Sequence, residues 1–180
     1  MNFGPAPAVL GWRSLADAMG AHVKRVVLVL VFAISTSALA AARLTPQTIA
    51  ADIAAHGADK VVAKLAKTGD YDRVLDHIDK GEADWVALAP KLAPGTDAGW
   101  AEALVISLAF ALPKNPQAVL ALLTGKDAFP ADDVCGAPFI EGTVKDVPGY
   151  IRRAKAAVAK VTDPSLQSAK AACLAALAKA

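Results

Sequence analysis

The residues best suited to chemistry lie in one acidic segment, positions 69–84, which reads GDYDRVLDHIDKGEAD. Asp72, Asp76 and Asp79 are spaced four and three residues apart, so on a helix they share one side. Carboxylates on one side could hold a divalent cation through oxygen ligands, or could meet a basic partner. A solvated helix face carries the same residues, because acids favour helix N-termini. We favour the solvated face over a partner surface, and expect no metal site.

His77 lies inside this segment, next to Asp76 and near Asp79. A hydrolase would need a histidine beside both a nucleophile and a carboxylate. A carboxylate one residue away points off another helix face, so we interpret His77 as a surface histidine. A hydrolytic enzyme that uses the acidic helix 70–84 stays open as an alternative.

Other catalytic signatures are missing from the sequence. It contains no G-x-S-x-G, no H-E-x-x-H, no phosphate-binding glycine loop and no EF-hand spacing. We therefore assign no catalytic residue and expect no cofactor.

The segment 135–141, CGAPFIE, is the first place to look for recognition of a partner. It belongs to an irregular stretch, 125–147, which prolines and glycines break up. Phe139 and Ile140 are large apolar residues that would not stay exposed without a reason, and Glu141 beside them would suit a protein groove. The plainer interpretation is a disulfide-tethered loop packed on the core. The binding candidates are Phe139, Ile140, Glu141, Asp72, Asp76 and Asp79.

A basic face is predicted on the helix that begins at Pro148. It consists of Arg152, Arg153, Lys155 and Lys160, with no acid in the same helix. Such a face could touch anionic lipid or an acidic protein, could pair with the acidic helix of its own fold, or could simply lie in water. Nucleic acid is not expected as a partner, because residues 41–180 hold 16 basic and 16 acidic residues.

Cys135 and Cys173 are the two cysteines of the chain. In an exported protein an even count is most simply one disulfide. A reactive thiol would need a nearby base, and neither His56 nor His77 is close in sequence. We predict that the bond fastens the irregular stretch to the C-terminal helix.

The N-terminus is typical of a secretory signal. Lys24 and Arg25 precede a nine-residue apolar run, 26–34, and small residues spaced as in a cleavage site follow up to Ala40. A membrane anchor is the alternative, but a span needs about 20 apolar residues. We expect residues 1–40 to be a signal peptide, with Met19 as a second candidate start. The expected location is the periplasm, or outside the cell, with membrane contact only through an uncleaved leader.

Residues 41–180 are predicted to be a single all-helical domain, because alanine is abundant and no alternation of β-branched residues occurs. Its centre is a hydrophobic hairpin, 96–124, in which only two polar residues interrupt the stretch 100–112. A helix that is apolar all round must be buried on all sides. Pro113 ends this helix and Asn115 caps the next, so the two should lie antiparallel.

Three apolar sets with i, i+3, i+4, i+7 spacing precede the hairpin, and they begin at Ala58, Tyr71 and Trp85. Such short helices have no stability alone and must pack side by side, as in a small solenoid. Pro90 falls inside the third set, so we expect that helix to stop near Ala89 and 91–95 to be irregular. The glycines that separate the sets, each suited to a left-handed helix end, are Gly57, Gly69, Gly81 and Gly95.

Taken together, the sequence predicts an all-α fold of seven or eight short helices. They pack as an antiparallel, solenoid-like bundle around the central hairpin, with one disulfide; an ordinary bundle is the alternative. The predicted role is to bind another envelope or extracellular protein without catalysis. One concrete version is an immunity-type inhibitor of a toxin delivered to the periplasm, by analogy of format alone. A structural envelope protein is a third class, and the oligomeric state is not determined.

Overall fold

The structure is a computed structural model that describes residues 44–124 and 129–180. The predicted signal peptide and the candidate start at Met19 therefore lie outside the described residues. Every regular element in the described part is a helix, which confirms the all-α fold. Leu44–Ala180 forms one compact unit. Among the described residues, no helix is both long and apolar enough to span a membrane.

The α-helices are α1 (Pro46–His56), α2 (Ala58–Thr68), α3 (Asp70–Asp79), α4 (Ala83–Val86), α5 (Ala89–Leu92), α6 (Ala98–Ala111), α7 (Pro116–Leu122), α8 (Ala131–Cys135), α9 (Val147–Ala159) and α10 (Gln167–Lys179). Two short 3₁₀ turns, Ala93–Gly95 and Pro164–Leu166, lead into α6 and α10.

Side-chain caps define where several helices begin. Thr45, Asp97, Asn115 and Asp146 each accept a hydrogen bond from the backbone N–H three residues further on. A cap of this kind stabilises a helix by about 1 kcal/mol. The cap of the long helix α6 is Asp97.

Helices α1, α2 and α3 pack each on the next, which is compatible with the predicted solenoid-like arrangement. The buried residues of α2 and α3 come from the predicted apolar sets, with Val61, Val62 and Leu65 on α2 and Tyr71, Val74 and Ile78 on α3. The core therefore follows the helical spacing of the sequence.

The prediction that residues 91–95 are irregular is wrong. The third apolar set forms two single-turn helices, α4 and α5, with the break at Ala87 and Leu88, and the chain then continues into the 3₁₀ turn. Pro90 lies in the first turn of α5, where its missing N–H removes no helical hydrogen bond. The proline therefore starts a helix instead of ending one.

Gly95 does not have the conformation predicted for it. Gly69 adopts the left-handed helical region, with φ 75° and ψ 5°, whereas Gly95 lies in the 3₁₀ turn and is not among the positive-φ glycines. A Cβ atom on Gly95 would lie 2.5 Å from the carbonyl oxygen of Ala58 and 2.7 Å from the nitrogen of Asp59. Glycine is needed here because the turn packs directly against the backbone at the start of α2.

Helix α6 lies at the centre of the core. Leu104, Leu108 and Leu112 are fully buried, while Glu102 in its second turn is exposed. The prediction of burial on all sides is therefore wrong for its N-terminal end. The most extensive contact of α6 is with α3, and its contact with α7 is much smaller. The antiparallel orientation of α6 and α7 stays a prediction.

The corner between α6 and α7 binds the turn that follows α3. The Asn115 side chain caps α7 through Oδ1 and donates from Nδ2 to the carbonyl oxygen of Gly81 at 2.9 Å. The Lys114 ammonium donates to the carbonyl oxygen of Asp79 at 2.5 Å. These bonds hold the acidic helix α3 against the centre of the fold.

The stretch 125–147 is less irregular than predicted, because it contains α8. Pro130 precedes the helix, and Asp132 and Asp133 occupy its first turn, where acids are favoured. Val134 and Cys135 at its end are fully buried. Helix α10 packs on α8 and on α9, so this part of the stretch belongs to the core.

Candidate functional site

The predicted disulfide between Cys135 and Cys173 is confirmed. It joins the last residue of α8 to the middle of α10 with a Cα–Cα distance of 5.3 Å, and both cysteines are fully buried. A disulfide indicates a non-reducing environment. The bond also fixes the start of residues 136–146, which we call the tethered loop.

Phe139 is the second attachment of the tethered loop. Its ring lies 5.0 Å from the ring of Phe110 on α6 and 4.7 Å from the ring of Tyr150 on α9, measured between centroids. The contact with Tyr150 is edge-to-face, at 89°, an arrangement that aromatic pairs favour. Phe139 is half-buried, so the plainer interpretation of this residue, a loop packed on the core, is correct.

Two tight turns shape the tethered loop around Phe139. The Phe139 N–H donates to the carbonyl oxygen of Ala137 at 2.7 Å, and Ala137 has a positive φ of 55°. The Thr143 N–H donates to the carbonyl oxygen of Ile140 at 3.0 Å. These two bonds close tight turns on either side of Phe139 and Ile140.

Ile140 is 57% exposed and is the one large hydrophobic side chain that lies exposed in the described residues. Glu141, beside it, is exposed as well. The structure thus separates the three predicted loop candidates: Phe139 anchors the loop, while Ile140 and Glu141 face solvent.

The three predicted carboxylates of α3 do not form one uniform surface. Asp72 and Asp76 are exposed, whereas Asp79 is half-buried and its Oδ1 is buried without a hydrogen bond. Burial raises the pKa of Asp79, while the Ser107 hydroxyl and the Lys114 ammonium act in the opposite direction. No group of His, Cys, Asp or Glu placed to hold a metal ion occurs in the described part of the chain.

His77 lies partly exposed at the surface, in agreement with the prediction, and contacts two neighbours that the sequence did not indicate. Its ring stacks on the ring of Trp85 at a centroid distance of 4.4 Å and an angle of 5°. Its Nδ1 lies 2.8 Å from Oε2 of Glu82, which accepts the hydrogen bond. Sequence reasoning paired His77 with Asp76 and Asp79, and missed Glu82 and Trp85 because the turn after α3 brings them back onto the histidine.

A groove between α9 and the α6–α7 corner was also missed. It has a volume of about 500 Å³, and we call it the basic groove. Its lining includes Phe110, Lys114, Val144, Tyr150, Arg153 and Lys160.

The structure divides the predicted basic face of α9. Arg153 and Lys160 line the basic groove, whereas Arg152 and Lys155 do not. The ion pairs within the described residues do not join this face to α3, so the suggested pairing with the acidic helix is not seen there.

Comparison with protein families, with curated proteins and with solved structures finds no match to this chain.

Proposed function

We propose that this chain is an exported protein whose tethered loop binds another protein of the cell envelope, without catalysis. The observation that carries the proposal is the exposure of Ile140 on a loop that is held at Cys135 and at Phe139. The disulfide supports export, and the periplasm is the compartment we propose.

An exposed isoleucine on a fixed loop suits an interface. Ile140 is 57% exposed, so covering the rest of its side chain would stabilise a complex by about 1–2 kcal/mol. A loop that is already ordered loses little conformational entropy when it binds, so more of that free energy appears as affinity. Binding energy at interfaces is concentrated in a few side chains that become buried in the complex and are surrounded by a polar rim. Ile140 would be one of these side chains, and Glu141 would belong to the rim.

The contacts of His77 give no support to the hydrolase alternative. A hydrolase that used this histidine would need a hydroxyl or thiol in hydrogen-bond contact with the imidazole. Among the described residues the imidazole bonds to Glu82 and stacks on Trp85, and both neighbours serve to hold the ring in place.

The test is capture of partners by the exported, tagged protein in its own cells, followed by affinity measurement with the purified partner. We expect Ile140→Asp to weaken binding about tenfold or more, because it places a charge where the apolar side chain would be buried in the complex. Ala63→Asp adds the same charge at an exposed position of α2 and should leave affinity unchanged. Equal binding by wild type and Ile140→Asp would reject the loop as the site.

The identity of the captured protein separates the two versions of this function. A toxin delivered to the periplasm would make the chain an immunity-type inhibitor, and a resident envelope protein would favour an accessory role. The intact mass of the exported protein tests the proposed signal peptide. A mass that still includes residues 1–40 would contradict cleavage after Ala40.

A further inference from the structure

We propose that the basic groove binds an amphiphilic anion, a small molecule with an apolar body and a carboxylate head. This inference does not depend on the tethered loop binding a protein, although Val144 of that loop forms part of the groove wall.

Part of the groove lining is apolar. Phe110, Val144 and Tyr150 contribute rings and an aliphatic side chain. The Tyr150 hydroxyl already donates to the carbonyl oxygen of Ala109, so it offers no free donor to a ligand. A ligand must therefore bring apolar surface to this part of the groove.

The cationic residues of the groove are Lys114, Arg153 and Lys160, and its lining contains no acid. The guanidinium of Arg153 and the ammonium of Lys160 make no hydrogen bond or ion pair with any residue in 44–124 or 129–180. They are seven residues apart on α9, about 10 Å along the helix axis. Lys114 lines the other wall, at the α6–α7 corner, and its ammonium is bound to the carbonyl oxygen of Asp79.

This arrangement is more than a basic surface. The position of Lys160 at the C-terminus of α9 is favourable for any cation, which accounts for that residue alone. The bond from the Lys114 ammonium to the carbonyl oxygen of Asp79 accounts for Lys114, but nothing of either kind accounts for Arg153. An anionic head bound beside Arg153 and Lys160 would be attracted by both charges.

The dimensions fit a small ligand. The volume of about 500 Å³ lies within the range of about 300–1,000 Å³ that is usual for small-molecule sites. Such sites combine apolar walls with a few charged groups that fix the orientation of the ligand.

The test uses three probes with the same dodecyl chain at concentrations below micelle formation: dodecanoate, dodecanol and dodecyltrimethylammonium. Titration followed by calorimetry and by amide chemical shifts of the isotope-labelled protein should show saturable binding of dodecanoate. Shifts should concentrate around Val144, Tyr150 and Arg153. Dodecanol should bind about tenfold more weakly, and the cationic probe should not bind in the groove.

Two double variants distinguish the effect of the groove on binding from the effect of the net charge of the protein. Arg153→Gln with Lys160→Gln should weaken dodecanoate binding about tenfold. Arg152→Gln with Lys155→Gln removes the same charge from the same helix, outside the groove, and should leave the affinity unchanged. Thermal unfolding of both double variants checks that each is folded.

Equal binding of the anionic and cationic probes, equal losses in both double variants, or no saturable binding of dodecanoate would each overturn the proposal. Binding of a glutamate-rich peptide with no response to dodecanoate would also overturn it, and would assign the groove to a protein partner.

Discussion

The hydroxyl of Tyr150 donates a hydrogen bond to the carbonyl oxygen of Ala109 across 2.9 Å, inside the core. The bond joins α9 to the C-terminal end of α6, where the Leu112 N–H also donates to the same oxygen at 3.2 Å. It holds one wall of the basic groove against the central helix.

Tyr150→Phe removes this bond and keeps the ring. We expect the free energy of unfolding to fall by about 1 kcal/mol, the usual net contribution of one internal hydrogen bond, because the Ala109 carbonyl keeps its second partner. Urea unfolding followed by circular dichroism measures the change. An unchanged midpoint would show that the bond contributes nothing.

Tyr71→Phe should behave differently. The Tyr71 hydroxyl is buried without a hydrogen bond, so we expect its removal to leave stability unchanged or to raise it by up to about 1 kcal/mol.

Burial, and then the charge of Asp97, raise the pKa of Tyr71 to about 12. The folded chain thus favours the neutral phenol, and the associated stability is complete below pH 10 and lost as the pH rises towards 12. Wild type should lose stability over that window faster than Tyr71→Phe.

Reduction of the disulfide, or replacement of Cys135 and Cys173 together by serine, should lower the free energy of unfolding. The 38-residue separation corresponds to about 4 kcal/mol on the chain-entropy description. Unfolding with and without a reductant measures the loss, and the double variant should show no further response to the reductant. Equal stability of the oxidised and reduced protein would contradict the prediction.

Asp79→Asn should stabilise the protein at neutral pH. Burial raises the pKa of Asp79, so the folded state favours the protonated carboxyl. The stability due to that preference is present below the unfolded pKa and is lost as the pH rises through the folded pKa. The advantage of the variant should therefore vanish at low pH, and should stay below about 1 kcal/mol because solvent screens a half-buried group. The exposed Asp76→Asn is the control, and a pH-independent difference would argue against this account.

Gly95→Ala should destabilise the fold by about 2 kcal/mol, because the new Cβ would overlap backbone atoms of Ala58 and Asp59. The control is Gly99→Ala in α6, where the Cβ would meet only a carboxylate oxygen of Asp97 at an ordinary 3.7 Å. That change should stabilise the helix by about 0.5–1 kcal/mol. Thermal melts of the two variants should therefore shift in opposite directions.

The sequence identified most helix starts, because they depend on residues a few positions apart. Thr45, Asp97 and Asn115 each bond to a backbone group three residues away, and the proline that follows Thr45 or Asn115 has a backbone angle already suited to a helix. The apolar sets of α2 and α3 are equally local, since the period of the helix alone places them on one face.

The disulfide and the class of the fold were also within reach of the sequence. Two cysteines allow only one internal pairing, and both are fully buried in the fold. Pro90 and Gly95 were misinterpreted, because each residue type suits more than one conformation. Neighbouring segments decided which conformation each residue adopts. The helix breaks before α5, so Pro90 lies in a first turn, and the backbone of α2 packs against Gly95.

The sequence by itself determined most of the longer helices, their buried faces and the bond that fastens the tethered loop, since these follow from local spacing and from cysteine chemistry. Only the tertiary structure decided which side chains contact one another. It places Glu82 and Trp85 against His77, and it places Phe139 between Phe110 and Tyr150. It also places Lys114 across the basic groove from Arg153 and Lys160. Such contacts depend on how helices distant along the chain turn towards one another. Many packings bury the same apolar faces, so the pattern of those faces does not specify which polar groups meet.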